Sequence, residues 1–93
     1  MPVIPFLSNR WQKLTAEQLE LLSQTADIRF KNGYSIGWGR RFSLIQYRNA
    51  CYAINSAYGL YHLENLLSWL IIHNPSTEDC RKYLDQGMKE LGI

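Results

Sequence analysis

The sequence has few of the residues and motifs that form disulfides, bind metals or anchor a protein in a membrane. It has only two cysteines, Cys51 and Cys80, too few and too far apart for a disulfide framework or a paired-cysteine zinc motif. We expect both to be small buried hydrophobes in a reducing compartment. No apolar run approaches the roughly 20 residues of a membrane-spanning helix, and the first seven residues contain two prolines and no basic leader. These absences predict a cytoplasmic protein.

Histidine is equally scarce, and no nucleophile signature accompanies it. His62 and His73 lie eleven residues apart, which on a helix separates them by about 16 Å at 1.5 Å per residue. That is too far to share a metal ion. The segment Gly37-Trp38-Gly39 lacks the trailing glycine and the Lys-Ser/Thr of phosphate-binding loops. The sequence therefore predicts no enzyme, no cofactor and no metal site.

Acidic residues are missing from the middle of the chain. Residues 28–63 contain five basic residues and no Asp or Glu, whereas the whole chain has a net charge of only +2. Residues 64–93 hold five acidic residues against three basic ones. An uneven distribution of this kind concerns the partners of a protein rather than its fold.

Three helices are predicted. The first covers residues 15–25 and begins at Thr15, with Gln18 placed to complete a capping box. The second covers residues 63–73, where apolar side chains recur at i, i+3, i+4, i+7 and i+8 and a proline follows at position 75. The third covers residues 76–91 and starts from a serine cap with two acids in its first turn.

An antiparallel sheet is predicted between residues 28 and 61, and its first hairpin surrounds the Asn-Gly pair at 32–33. A two-residue loop would pair Lys31 with Tyr34 and place the apolar residues of the two strands on opposite faces. A three-residue loop pairs Phe30 with Tyr34 and unites the apolar faces. We therefore favour the three-residue loop.

The second hairpin is predicted from residues 42–47 and 50–55 with Arg48-Asn49 as its turn, because aromatic and β-branched residues crowd the segment. Apolar spacing in residues 42–57 also fits a helix, which is the competing interpretation. Residues 58–61 are expected to add a short last strand. Residues 1–13 are interpreted as an irregular lead or a short edge strand.

The predicted fold class is α+β in one domain, residues 1–93. It comprises an N-terminal helix, a three- to four-stranded antiparallel sheet and two C-terminal helices packed on one sheet face. The alternative is a chain that is mostly α-helical after residue 42.

Basic and aromatic residues are interleaved in the acid-free stretch. Nucleic-acid-binding surfaces combine cations for phosphates with rings for base stacking, and protein hot spots are rich in Trp, Tyr and Arg. The ordinary alternative is that the aromatic residues are core and the arginines are a solvated face. The residues predicted to bind a partner are Arg29, Lys31, Trp38, Arg40, Arg41 and Arg48.

The expected function is that of a small non-enzymatic binding module, an inhibitor or adaptor that docks this surface on an acidic protein or nucleoprotein complex. In size and character it is analogous to phage proteins that block a host machine, such as an anti-CRISPR. Direct RNA or DNA binding is the alternative. No membrane partner is expected. A homodimer is also considered, because Trp69 and Ile72 lie off the leucine stripe of the second helix.

Overall fold

The computed structural model describes residues 7–31 and 33–93, and this part of the chain folds as an α+β protein. Its elements in chain order are β1 (Gln12–Lys13), α1 (Ala16–Ser23), β2 (Asp27–Lys31), β3 (Tyr34–Trp38), β4 (Ser43–Tyr47), β5 (Ala50–Ile54), α2 (Leu60–His73) and α3 (Cys80–Leu91). The strands form one antiparallel sheet in the order β1-β5-β4-β3-β2. The predicted class is confirmed. The sheet has one strand more than expected because β1 pairs with β5.

The second hairpin forms as predicted, and the helical alternative for residues 42–57 is wrong. Tyr47 pairs with Ala50, and the two turn residues Arg48 and Asn49 both adopt positive φ angles, 51° and 64°. Two-residue hairpin turns with both φ angles positive match the twist of the flanking strands. This turn therefore favours a β-hairpin over a helix in residues 42–57, although the apolar spacing of the segment also fits a helix.

The first hairpin has the register that the sequence disfavoured. Lys31 pairs with Tyr34 and Phe30 with Ser35, so two residues separate the strands and the three-residue loop is wrong. Gly33 supplies a positive φ of 85°, and Asn32 itself lies outside the described residues. Because β2 is an edge strand, it does not have to turn its apolar side chains toward the core that β3 faces. The two-residue loop is therefore compatible with folding, and Ile28 and Phe30 occupy the other face of the sheet.

Helix α1 begins as predicted at a capping box. The Thr15 Oγ1 accepts the Gln18 N–H at 3.2 Å, and the Gln18 Oε1 accepts the Thr15 N–H at 3.0 Å. The helix ends at Ser23, two residues before the predicted end. It covers the sheet face opposite to that covered by α2, where Leu22 packs with Leu44 and Ala53.

Helix α2 begins at Leu60, so the predicted strand at residues 58–61 is wrong. The Tyr58 N–H donates to the Ser43 Oγ at 2.7 Å, and Gly59 is already the N-cap of the helix. The chain therefore leaves the sheet before it could add another strand. The helix ends, as predicted, at Asn74, which is left-handed and precedes Pro75.

Helix α3 begins at Cys80 rather than at the predicted residue 76. The Ser76 Oγ accepts the Asp79 N–H at 3.3 Å within a turn, so this serine closes a turn instead of capping the helix. The helix lies close to α2 because Gly87 faces the Trp69 ring, where a Cβ atom would be only 3.1 Å from the nearest ring carbon. Trp69 thus packs against α3, while Ile72 is 79% exposed.

The sheet separates two clusters of buried side chains. The larger lies under α2 and α3, and the smaller lies under α1. The predicted packing of both C-terminal helices on one face is therefore correct in outline, while α1 occupies the other face. Residues 8–13 contain β1, in line with the predicted short edge strand, and the expectation for residues 1–6 lies outside the described residues. None of the helices in residues 7–31 and 33–93 is long and apolar enough to cross a membrane.

Candidate partner-binding surfaces

The six residues predicted to bind a partner do not form one surface. Arg40 and Arg41 are exposed in the connection between β3 and β4, at one end of the sheet. Arg48 lies in the turn between β4 and β5, at the other end. A five-residue strand separates the two ends by about 17 Å. A compact partner contact therefore includes one group or the other.

Arg48 is engaged within the protein. Its Nε donates to the Tyr47 hydroxyl at 3.1 Å, its Nη2 donates to the Asn74 Oδ1, and its guanidinium lies 5.6 Å from the centre of the Tyr47 ring. The hydrogen bond to Tyr47 raises the pKa of Arg48 above its usual value. These contacts connect the β4–β5 turn to the residue that ends α2, which is a structural role.

Arg29 and Lys31 lie on β2 and share the sheet face that α2 covers. The Lys31 Nζ is 3.6 Å from a carboxylate oxygen of Glu64 on α2, so part of its charge is compensated. Arg29 is exposed and lies opposite Ile36 of β3. Of these two residues, only Lys31 forms an ion pair among the described residues.

Most of the interleaved aromatic residues are core, as the ordinary alternative supposed. Tyr47 and Tyr52 are fully buried, and Tyr34 stacks on Tyr47 with ring centroids 5.5 Å apart. Trp38 is partly buried against the larger core, opposite Asp27 of β2. The two buried rings of Tyr47 and Tyr52 cannot stack on bases or enter a partner's pocket, while Tyr34 and Trp38 are each partly exposed.

The structure instead brings Arg40 and Arg41 to the end of the sheet where α2 begins. The hydrogen bond between Ser43 and the Tyr58 backbone holds the start of α2 next to the first residue of β4. There Tyr61 is 73% exposed and lies edge-on to the exposed His62, with ring centroids 5.5 Å apart. We call Arg40, Arg41, Tyr61 and His62 the basic–aromatic end.

The electrostatics of this end favour a negatively charged ligand. The first turn of α2, residues 60–63, contains no Asp or Glu. Its N-cap is Gly59, which has no side chain to accept a hydrogen bond from the helix N–H groups. The partial positive charge of the helix N-terminus therefore adds to the two guanidinium groups. Sequence reasoning assigned Tyr61 to a strand and did not include it or His62 in the site.

The edge of the sheet at β2 is a second unusual surface. All five residues of β2 are exposed, and Ile28 and Phe30 are 40% and 80% exposed. Their side chains line one wall of a shallow groove of about 130 Å³ whose opposite wall includes Leu19 and Ser23 of α1. Sequence reasoning missed this surface because the favoured loop placed both side chains in the core.

The cysteines lack the properties of catalytic thiols. Burial raises the pKa of Cys51 to about 11 and that of Cys80 to about 11. A thiol that stays protonated at neutral pH is a poor nucleophile and a poor metal ligand. Among residues 7–31 and 33–93, no group of three His, Cys, Asp or Glu side chains is placed to hold a metal ion.

Comparison of the chain with protein-family models, curated proteins and solved structures gives no match. The function is therefore proposed from the surfaces of the protein alone.

Proposed function

We propose that the protein is a non-enzymatic binding module, an inhibitor or adaptor, that docks its basic–aromatic end on an acidic protein surface. The observation that carries the proposal is that Arg40 and Arg41 lie at the end of the sheet where α2 begins, and the first turn of that helix exposes the rings of Tyr61 and His62. Arginine and tyrosine supply a large share of the binding energy in protein interfaces, because they combine apolar area with directional hydrogen bonds.

The size of the site sets its expected behaviour. Two arginines and two rings form a compact anchor rather than a broad interface, so the rim of the contact must come from the surrounding surface. Exposed positive charge chiefly increases the rate of association with an acidic partner, and salt screens that effect. We therefore expect a partner whose capture weakens as the salt concentration rises.

The test is affinity capture with matched variants. The bait is the wild-type protein, the Arg40→Ala/Arg41→Ala variant, or the Arg81→Ala/Lys82→Ala variant, which removes two exposed basic residues from α3 and gives the same net charge. Lysates are treated with nuclease before capture. We expect an acidic protein in near-stoichiometric amount that the α3 variant retains and the Arg40→Ala/Arg41→Ala variant loses. Equal capture by both variants, or no stoichiometric partner for the wild type, contradicts the proposal.

Direct RNA or DNA binding is the second candidate, and the exposed Tyr61 ring in the first turn of α2, at the same end of the sheet as the two arginines, is the observation that favours it. A ring with a free face can stack on an unpaired base, and the guanidinium groups can contact phosphates. This function predicts binding to a single-stranded oligonucleotide that falls steeply with salt. A partner that disappears from the capture after nuclease treatment would support it over the protein partner.

A further inference from the structure

We infer that two copies of this chain associate through β2, with the β2 strands antiparallel, to form one continuous sheet. The inference concerns a surface separate from the basic–aromatic end and does not depend on the proposed function. It follows from the exposure of the β2 edge, from the directions of its free backbone groups and from the charge pattern of its five residues.

The two edges of the sheet differ in length and in exposure. At one edge, β1 has only two residues, and the adjoining Trp11 is buried. At the other edge, β2 has five residues in unbroken register with β3 and is paired, within the described ranges, only on that side. A strand of this length without a bulge or proline, carrying exposed apolar side chains, is a template for pairing with another strand.

The backbone of β2 has N–H and C=O groups that point away from β3 and can form such a pairing. In an antiparallel pair, alternate residues exchange hydrogen bonds with the neighbouring strand, and the residues between them point their N–H and C=O groups away. The closing pair of a two-residue hairpin, here Lys31 and Tyr34, is of the bonded type. Arg29 and Asp27 are then bonded to β3 as well. The free backbone groups are those of Ile28 and Phe30.

The side chains of β2 are complementary to a second antiparallel copy of β2. When the two strands overlap fully, Ile28 of one copy lies opposite Phe30 of the other, and Asp27 lies opposite Lys31, each pair occurring twice. The aliphatic–aromatic pairs and the opposite-charge pairs both stabilise a sheet. Lys31 then lies between its own Glu64 and Asp27 of the second copy.

Charge disfavours one alternative register, and the reduced overlap of the strands disfavours the other. A shift of the pairing by two residues toward the hairpin loop places Lys31 opposite Arg29 of the second copy, a like-charge contact. A shift by two in the other direction places Asp27 opposite Arg29, an opposite-charge contact, but like the first shift it reduces the overlap of the strands from five residues to three and loses the Ile28–Phe30 pairs. The full overlap places Arg29 opposite its own counterpart on the two-fold axis, and the two Asp27–Lys31 pairs flank this one repulsive contact.

The apolar face of the paired edge is also covered in the dimer. The two-fold axis of an antiparallel strand pair is perpendicular to the sheet, so both α1 helices lie on the same face. Ile28 and Phe30 of both copies then form one cluster between the two helices, next to the groove that Leu19 and Ser23 border. A contact of one strand from each copy is smaller than a standard interface, so we expect a concentration-dependent dimer.

The test is a charge-exchange experiment read by sedimentation equilibrium. Asp27→Lys places two like-charged pairs in the wild-type register, and so does Lys31→Asp. We expect either variant alone to dimerise about tenfold more weakly than wild type, because the two-fold axis doubles each change. An equimolar mixture of the two variants restores opposite charges at both pairs, so we expect a dimer to reappear in the mixture.

Two further variants serve as controls for misfolding and for dimerisation through a different surface. Phe30→Ser and Ile72→Ser each remove one exposed apolar side chain, from β2 and α2 respectively. We expect Phe30→Ser to weaken the dimer and Ile72→Ser to leave it unchanged, with both variants folded by circular dichroism. The inference is overturned if the wild type is monomeric at all concentrations, if the mixed charge variants remain monomeric, or if Ile72→Ser is the variant that dissociates the dimer.

Discussion

Lys31 lies directly opposite Tyr34 across the β2–β3 hairpin. This one pairing decides which face of the sheet each residue of β2 occupies, because side chains alternate between faces along a strand. It directs Lys31 toward Glu64 on α2 and leaves Phe30 exposed on the side of α1. The charged face and the apolar face of β2 both result from this pairing.

The hairpin register depends on Gly33, and its substitution tests that dependence. Gly33 has a φ of 85°, and a Cβ atom there would meet nothing within 4 Å, so only backbone strain opposes a larger residue. We expect Gly33→Ala to lower the free energy of unfolding by about 1 kcal/mol, measured by urea denaturation. Gly33→Asn is the control, since asparagine tolerates positive φ angles, and it should cost less. Equal losses for the two variants would contradict this account.

Gly59 offers a way to separate folding from binding at the basic–aromatic end. Its φ of −72° and the open space around it accommodate a side chain, and a serine or aspartate there can cap α2. We expect Gly59→Ser and Gly59→Asp each to raise the free energy of unfolding by about 0.5 kcal/mol. Only Gly59→Asp adds a negative charge to the basic–aromatic end, so it alone should weaken capture of the acidic partner. Unchanged capture by Gly59→Asp would argue against binding at this end.

Asp85 on α3 holds the segment before β1. Its Oδ1 accepts the Trp11 backbone N–H and its Oδ2 accepts the Arg10 Nε, both at 3.3 Å. We expect Asp85→Ala to lower the free energy of unfolding by about 1 to 2 kcal/mol, because the backbone N–H next to a buried tryptophan loses its acceptor. Arg10→Ala removes only an exposed ion pair and should cost less than about 0.5 kcal/mol. A larger loss for Arg10→Ala than for Asp85→Ala would reverse this assignment.

The parts of the fold that the sequence predicts correctly are those decided by neighbouring residues. Thr15 and Gln18 satisfy each other's backbone groups whatever lies around them. The Arg48-Asn49 turn likewise depends on the conformations of its own two residues. The start of α3 shows the limit of such reasoning, because Ser76 closes a turn where it could equally have capped a helix.

The register of β2 could not be predicted in this way. Uniting the apolar residues of the first hairpin on one face would be correct for an isolated hairpin. In the protein, β2 lies at the edge of the sheet and α1 covers part of the other face, so Phe30 is not required to join the core. The site could not be predicted for a similar reason. Tyr61 lies at the same end of the sheet as Arg40 and Arg41 because a hydrogen bond between residues 43 and 58, distant in sequence, holds the start of α2 there.

Stability should fall in alkaline solution because the folded protein keeps buried acids protonated. In the unfolded chain the thiols ionise near pH 9.0, whereas burial raises the pKa of both Cys51 and Cys80 to about 11. Burial also raises the pKa of Tyr52, whose hydroxyl donates to the Thr77 carbonyl at 2.8 Å. Between these pKa values the unfolded state releases protons that the folded state retains. The free energy of unfolding therefore decreases as the pH rises, and the stabilisation is complete only below the unfolded pKa.

Urea denaturation between pH about 8 and about 10.5 measures this dependence. We expect the midpoint for the wild type to fall across that range. The Cys51→Ala/Cys80→Ala variant should start from a lower midpoint, because it leaves small cavities, but should decline less steeply, since only Tyr52 then keeps a raised pKa among these three groups. If the wild type and the double variant lose stability with the same slope, the thiols are not the source of the alkaline sensitivity.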